Sequence, residues 1–288
     1  MIEINKVYCQ DNLQFLKTLP DKSIDMVIGS PPYSSIRAYK SLNKNFDTRS
    51  HLLSLGPDIY RVLKDGGICA LVLQDQTVKG HKTLSTFGTI MDWCQNDNIR
   101  FNLFECLIYN RRGAPGAFWL KRFRVDHEYI PIFLKGNRPK HFDKSHILIP
   151  VKTAGKHLGG TRRQTSGVLE PYNKDYIVKD KTCCGTIFKY SNSSQESYNN
   201  YGIKDLKIAK ELKVSKLTHP ATFPFQLCKD IIMAFCPKNS VVLDLWVGSG
   251  ETAIAAQLSG RNWVGVDIEN DYVDLARKRL SLLPTNVY

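Results

Sequence analysis

No stretch of the chain is apolar for long enough to cross a bilayer. The longest runs, such as residues 68–73, fall far short of the roughly 20 residues a span needs. The amino-terminal MIEINKVYCQ lacks the charged-then-apolar pattern of a secretory signal. Eight cysteines occur, yet no two stand at C-x2-C spacing and none is followed by histidine at finger spacing. The adjacent Cys183 and Cys184 make a poor clamp for an ion. These absences predict free thiols in a reducing cytoplasm, no metal centre and no membrane partner. No internal repeat is visible. The most informative scarcity is of acids in the middle of the chain. Residues 101–216 hold 22 Lys and Arg against 10 Asp and Glu, net +12, whereas the remainder is net +1. Such segregation predicts a polyanionic partner, nucleic acid before a membrane surface, because the block has no amphipathic helix with a broad apolar face.

What is present is an alternation of strand-like and helical patterns at both ends of a 288-residue chain, long enough to bury a full core. Strands are predicted at 3–9, 24–29, 68–73, 101–109, 127–135, 240–245 and 263–267. Helices are predicted over 11–19, 50–64, 83–96, 223–235, 251–258 and 271–283. The second helix is expected to stop at Gly66-Gly67. Pro131 is expected to put its strand at a sheet edge, because proline cannot donate to a ladder. Residues 34–50 read as a polar surface loop, and 110–124 as a basic connection. Periodicity fades over 137–217, where only 146–151 and 186–190 look strand-like. The predicted organisation is a first half over 1–136, a small domain or insertion over 137–217, and a second half over 218–288. The halves together form an α/β sheet with helices on both faces.

Two constellations carry chemistry. In the first, a buried strand runs into Ser30-Pro31-Pro32-Tyr33. Each proline holds the residue before it extended, so the Ser30 hydroxyl and the Pro31 carbonyl form a stiff row of acceptors where open α/β sheets bind ligands. Tyr33 adds a flat face. Acceptors beside an aromatic plate suit a planar group bearing an NH2; the plainer reading is a proline-rich turn. In the second, Asp244 ends a strand, Gly248-Ser249-Gly250 turns the chain into a helix, and Asp267 ends the next strand. Glycines there let backbone amides approach a ligand, and an acid at the second strand end accepts ribose hydroxyls. Gly248-x-Gly250-x-x-Ala253 loosely fits a dinucleotide fingerprint. Against that reading, Asp244 would repel a pyrophosphate, whereas it suits a ligand with an amino group, such as the methionine part of S-adenosylmethionine.

In this arrangement the chain resembles the β group of DNA amino-methyltransferases, over nearly all its length. The landmarks are Asp11-Asn-Leu, Ser30-Pro31-Pro32-Tyr33, Leu63-Lys64-Asp65-Gly66-Gly67, Arg124-x-x-His127-Glu128-Tyr129, His219-Pro220-Ala221-Thr222-Phe223-Pro224, Asp244-x-x-x-Gly248-Ser249-Gly250 and Gly265-Val266-Asp267. The resemblance implies a Rossmann-like S-adenosylmethionine-dependent methyltransferase sheet, with the catalytic motif ahead of the cofactor motif and a target-recognition region between them. It implies Ser30, Pro31, Pro32 and Tyr33 as the catalytic turn. Asp244, Trp246, Gly248 and Gly250 would line the methionine end of the cofactor, Asp267 its ribose and Asp11 its adenine, with His219 and Thr222 contributing.

Family members with serine first in the catalytic turn are mostly cytosine-N4 enzymes; adenine-N6 stays open. The substrate implied is double-stranded DNA with the target base flipped out and stacked on Tyr33. No Pro-Cys motif of cytosine-C5 chemistry is present. Arg111, Arg112, Lys121, Arg122, Arg124, Arg162 and Arg163 are expected at DNA, and His127 with Glu128 as a buried structural pair, a direct catalytic role for them being the lesser alternative. Leu245-Trp246 and Glu251 depart from the family's usual Pro-Phe and Thr, which leaves a third reading, a DNA-binding protein with a degenerate cofactor pocket. A cognate restriction endonuclease, and a monomer or a homodimer, are both compatible with the resemblance.

Overall fold

Apolar residues alternate along the central strands and go to both faces of a sheet. In β2 (Ile24–Gly29), Met26 and Ile28 enter one buried cluster and Val27 the other. In the next central strand Ile68 and Ala70 oppose Cys69 and Leu71 in the same way. Strands buried on both faces belong in the middle of a helix-covered sheet. The computed structural model describes residues 2–33, 46–112, 123, 125–156, 160–171, 177–191 and 224–283, with backbone only at 112 and 191.

Two compact units are present: 1–143 with 186–288, and Lys144–Gly185. In the larger unit the elements run β1 (Lys6–Cys9), α1 (Asn12–Thr18), β2, α2 (Thr48–Val62), β3 (Leu63–Leu71), β4 (Thr77–Val78), β5 (His81–Lys82), α3 (Ser85–Gln95), β6 (Asn102–Arg112) and β7 (His127–Leu134). The smaller unit holds two antiparallel pairs, β8 (Ile149–Pro150) with β11 (Lys181–Thr182), and β9 (Thr161–Arg163) with β10 (Leu169–Pro171). The larger unit resumes with β12 (Ile187–Ser191), α4 (Phe225–Phe235), β13 (Val241–Asp244), α5 (Glu251–Leu258), β14 (Asn262–Asp267) and α6 (Asn270–Ser281).

Eight strands form the main sheet in the order β1-β14-β13-β2-β3-β7-β6-β12. Only β7 runs against the rest. Helices α1 to α3 cover one face through Phe15, Leu16, Leu52, Ile59 and Trp93, and α4 to α6 cover the other through Ile231, Ile254, Val273 and Leu280. Two cations close helix ends. Arg61 donates to the Leu16 and Leu19 carbonyls at 2.8 Å each, and Lys135 donates to Tyr60 and Leu63 at 2.6 and 2.7 Å. Both satisfy carbonyls that a helix leaves bare at its last turn.

Two sequence expectations are corrected. The second helix does not end at Gly66-Gly67; it ends at Val62, and both glycines lie within β3. A Cβ at Gly66 would meet the Lys140 nitrogen at 2.8 Å, and one at Gly67 the Asp25 carbonyl at 2.9 Å. These glycines serve close backbone approach, not helix termination. Nor is Pro131 on an edge strand, since β7 lies between β3 and β6. Tyr129 exchanges both backbone bonds with Leu73, so two residues on, the imide nitrogen of Pro131 faces β3. The β3–β7 ladder breaks there, after Ala70↔Ile132 and before Leu73↔Tyr129. The sheet tolerates the proline by omitting one rung.

Candidate active site

Neighbouring strands β2 and β13 pair in parallel through Val242↔Met26 and Leu243↔Val27. From β2 the chain passes through α2 on one face to β3; from β13 it passes through α5 on the other face to β14. Connections that diverge in this way open a crevice at the carboxyl ends of the two strands, the switch point where such sheets bind ligands. The two constellations therefore come from opposite ends of the chain to one place. Gly29 makes the contact feasible, because a Cβ there would lie 2.6 Å from Asp244 Oδ1 and 3.0 Å from Trp246 Cε3. Sequence reasoning passed over Gly29, although a glycine just before the Ser30-Pro31-Pro32-Tyr33 turn is itself a sign of close approach.

On the β2 side, the Tyr33 hydroxyl donates to the Val72 carbonyl at 3.1 Å, and Ser30 Oγ donates to the same carbonyl at 3.4 Å. The two hydroxyl oxygens stand 3.3 Å apart. Tyr33 is buried, and its hydroxyl ties the turn back to the residue just past β3. Thr48 Oγ1 at the start of α2 donates to the Pro32 carbonyl at 2.9 Å. Among the described residues the Pro31 carbonyl accepts no hydrogen bond. With its proton on Val72, Ser30 keeps lone pairs to accept, so the turn offers two acceptors held by fixed neighbours.

Across the crevice, Gly248 and Gly250 adopt left-handed φ of 48° and 88°. Such angles suit glycine. The Gly248 N–H donates to Asp267 Oδ2 at 2.9 Å, and the Glu269 N–H to Oδ1 at 3.0 Å. Asp244 is 2% exposed, and burial pushes its carboxyl up to about 7 despite the Trp246 N–H at 2.9 Å. Burial likewise raises Asp267. Trp246 Nε1 and Glu269 Oε1 are buried with no hydrogen-bond partner among the described residues. Two desolvated carboxylates, an unmet donor and an unmet acceptor around a glycine turn fit a ligand with a cationic amine and a vicinal diol.

Glu251, the departure from the family pattern, pairs with Arg279 at 2.8 Å, and Arg279 also donates to the Ser249 carbonyl. Both side chains are buried. Asp11 caps α1 by accepting from the Gln14 N–H at 2.9 Å, one residue beyond Gln10, whose N–H meets the Asp267 carbonyl. His51 was not singled out from sequence. It lies 6.2 Å from Trp246 by ring centroids, and burial, opposed by Asp11, lowers its pKa.

The cations expected at DNA are differently placed. Arg111 Nη1 lies 3.3 Å from Glu128 and its Nη2 donates to the Val125 carbonyl at 3.2 Å. Its Nε is buried with no hydrogen-bond partner among the described residues. The buried pair expected of His127 and Glu128 is corrected accordingly: Glu128 pairs with Arg111, and His127 lies 3.5 Å from Asp126. Arg162 and Arg163 are exposed on β9 of the smaller unit. The side chain of Arg112, and Lys121, Arg122, Arg124, His219 and Thr222, lie outside the described residues, as does most of the 34–50 loop. Among the described residues no His, Cys, Asp and Glu group has the arrangement of a metal site, and no helix is long and apolar enough to cross a membrane.

The orphan methyltransferase M.BamHII of Bacillus amyloliquefaciens is 30% identical over 268 residues, spanning 92% of this chain and 91% of its own. The fold is similar to that of the PvuII DNA methyltransferase (cytosine-N4-specific), with a TM-score of 0.67 at 21% identity over 95% of this chain and 85% of that one. It is also similar to the M1.HpyAVI–SAM complex, with a TM-score of 0.58 at 17% identity over 96% and 98%. The N6/N4 methylase profile, described as DNA methylase, matches residues 24–278, which hold both halves of the crevice. The chain belongs to the N6/N4 DNA methylase family.

Proposed function

We propose that the protein transfers a methyl group from S-adenosylmethionine to the exocyclic N4 of a cytosine flipped out of double-stranded DNA, as a site-specific modification enzyme. The observation that carries this reading is the Ser30 hydroxyl, donating to Val72 beside the Pro31 carbonyl, on a strand packed against Asp244. S-adenosylmethionine supplies an activated sulfonium methyl. Asp244 takes its ammonium, Asp267 and Glu269 its ribose, and Trp246 lies against it.

A cytosine amine is a weak nucleophile because its lone pair is delocalised into the ring. Ser30 Oγ and the Pro31 carbonyl accept its two N–H bonds, which favours a pyramidal nitrogen and stabilises the positive charge that develops on it. The protein's remaining task is alignment of nitrogen and methyl in line. A charged acceptor at position 30 is not required: the N–CH3 bond forms as the S–CH3 bond breaks, S-adenosylhomocysteine is the leaving group, and the cationic nitrogen afterwards gives its proton to water. The Glu251–Arg279 pair argues against a degenerate pocket, because the unusual glutamate has a dedicated partner.

Adenine-N6 transfer is the second reading, since the family profile spans both nitrogens. Incubation with labelled S-adenosylmethionine and duplex DNA, followed by digestion to nucleosides, separates them. N4-methylcytosine is expected. N6-methyladenine alone overturns the cytosine assignment, and no transfer at all overturns the enzyme reading.

A further inference from the structure

The catalytic turn leans on Val72, and beyond Val72 the chain forms a short ribbon that the active-site reading leaves without a task. Strands β4 and β5 pair through Thr77↔Lys82 and Val78↔His81. They are joined by a two-residue turn, Lys79 and Gly80, both left-handed, with φ of 47° and 84°. Positive φ at both turn positions matches the twist of a tight hairpin. The ribbon is fixed at its base. The Thr83 N–H donates to the Gln76 carbonyl at 3.0 Å, the Gln76 N–H to Thr83 Oγ1 at 3.2 Å, and Lys82 Nζ to the Asp75 carbonyl at 3.1 Å. Asp75 in turn accepts from the Thr86 N–H at 2.9 Å, joining the ribbon to the start of α3.

Residues 76–91 contain two lysines and a histidine and not one acid. Val78, Lys79, His81 and Lys82 are exposed. Lys82 is occupied at the base, whereas Lys79 at the tip has no ion pair among the described residues. Lys79 is seven positions along the chain from Val72, so even a fully extended chain keeps the two Cα atoms within about 25 Å. That is less than one turn of duplex, about 34 Å. A cation within that distance of the Ser30 turn can reach a phosphate of a duplex whose base enters there.

We propose that this hairpin is a DNA-docking element that sets Lys79 on a phosphate close to the target nucleotide. The proposal rests on the reading that the protein acts on DNA. At the tip the cationic group is a single ammonium, a point charge of the kind that pairs with a backbone phosphate. Its contribution is therefore electrostatic, independent of sequence, and visible in salt dependence.

The test measures duplex affinity by fluorescence anisotropy from low to moderate salt. It uses a fragment the protein methylates and one it does not, with wild type, K79A and K79R. Lys79→Ala is expected to reduce the slope of log K against log salt by about 0.9 on both duplexes. Lys79→Arg should keep the wild-type slope, and S-adenosylmethionine affinity should be equal in all three. A wild-type slope in K79A, or a loss confined to the methylated fragment, overturns the proposal. Methylation by wild type is assayed in parallel. Transfer with an unchanged K79A slope sinks the hairpin alone; salt-dependent binding without transfer sinks the methyltransferase reading and leaves the hairpin comparison to decide. A wild type that binds no duplex sinks both.

Discussion

Ser30 can accept because its proton is already placed. Removing the hydroxyl by Ser30→Ala is expected to lower turnover by roughly a hundredfold or more, the scale of losing one positioned polar group at a reacting centre. S-adenosylmethionine affinity by calorimetry should stay near wild type, and equal losses in both would mean that the turn serves folding. Asp244 makes a different prediction. Its ordinary pKa near 3.8 is raised by burial to about 7. The folded protein therefore favours the protonated form, and the stability this contributes is complete below about 3.8 and lost as pH rises through about 7. A cationic amine requires the ionised form. Cofactor affinity should then weaken below pH 7, by up to about tenfold per unit, because binding must release a proton. Thermal melts from pH 5 to 8 should show the unliganded protein losing stability with rising pH and the cofactor restoring most at the alkaline end. Asp244→Asn should flatten both trends; an unchanged pH profile in that variant would assign them to another group.

At the scale of elements, the glycine turn is held to α6 by the buried Glu251–Arg279 pair. Breaking one side of a buried pair leaves an uncompensated charge, at a cost of about 3–5 kcal/mol. Glu251→Thr, the family's usual residue, should therefore destabilise in denaturant titration, and the double change Glu251→Thr with Arg279→Leu should recover much of the loss. A single variant as stable as wild type would deny the pair any structural role. The β9–β10 ribbon makes a further prediction. Arg162 and Arg163 are consecutive in a strand, so their side chains leave opposite faces. If the ribbon lies in a major groove, one alanine variant should lose discrimination between sequences and the other should weaken all duplexes alike. Two identical effects would exclude that mode.

Elements with a clear helical period or a continuous apolar run were legible from sequence: β2, α3, α4, β13 and α6 lie within a few residues of expectation. The misses have physical causes. The glycine pair in β3 has the same composition whether it ends a helix or admits a neighbouring backbone. Pro131 in an internal strand depends on a missing rung that no local pattern encodes. The β4–β5 hairpin, with strands of two residues each, is too short for any period. Glu128 pairs with Arg111, well away in the chain, so pairing it with its neighbour His127 was an error of locality.

In the larger unit as a whole, both chain ends build one sheet. Strand β1 pairs with β14 over Lys6↔Val264 to Cys9↔Asp267, and β2 pairs with β13 at the crevice. Both apolar clusters draw on residues from each end, Val7 and Met26 with Val242 and Val273 in one, Phe15 and Val27 with Leu243 and Val264 in the other. The segment between forms its own unit, and within it Gly167, with φ of 84° and open space around it, turns between β9 and β10. Cohesion of the larger unit thus resides in the sheet and its two cores, not in continuity of the intervening chain. Cutting the full-length protein at an engineered protease site beside Gly167 should accordingly leave two pieces that co-elute on size exclusion and bind S-adenosylmethionine as the intact chain does. Duplex binding should weaken, because the cut opens the β9–β10 turn beside Arg162 and Arg163. Separation of the pieces in native buffer, or loss of cofactor binding while they remain together, would show that the crevice depends on the middle of the chain and not on the pairing of its two ends.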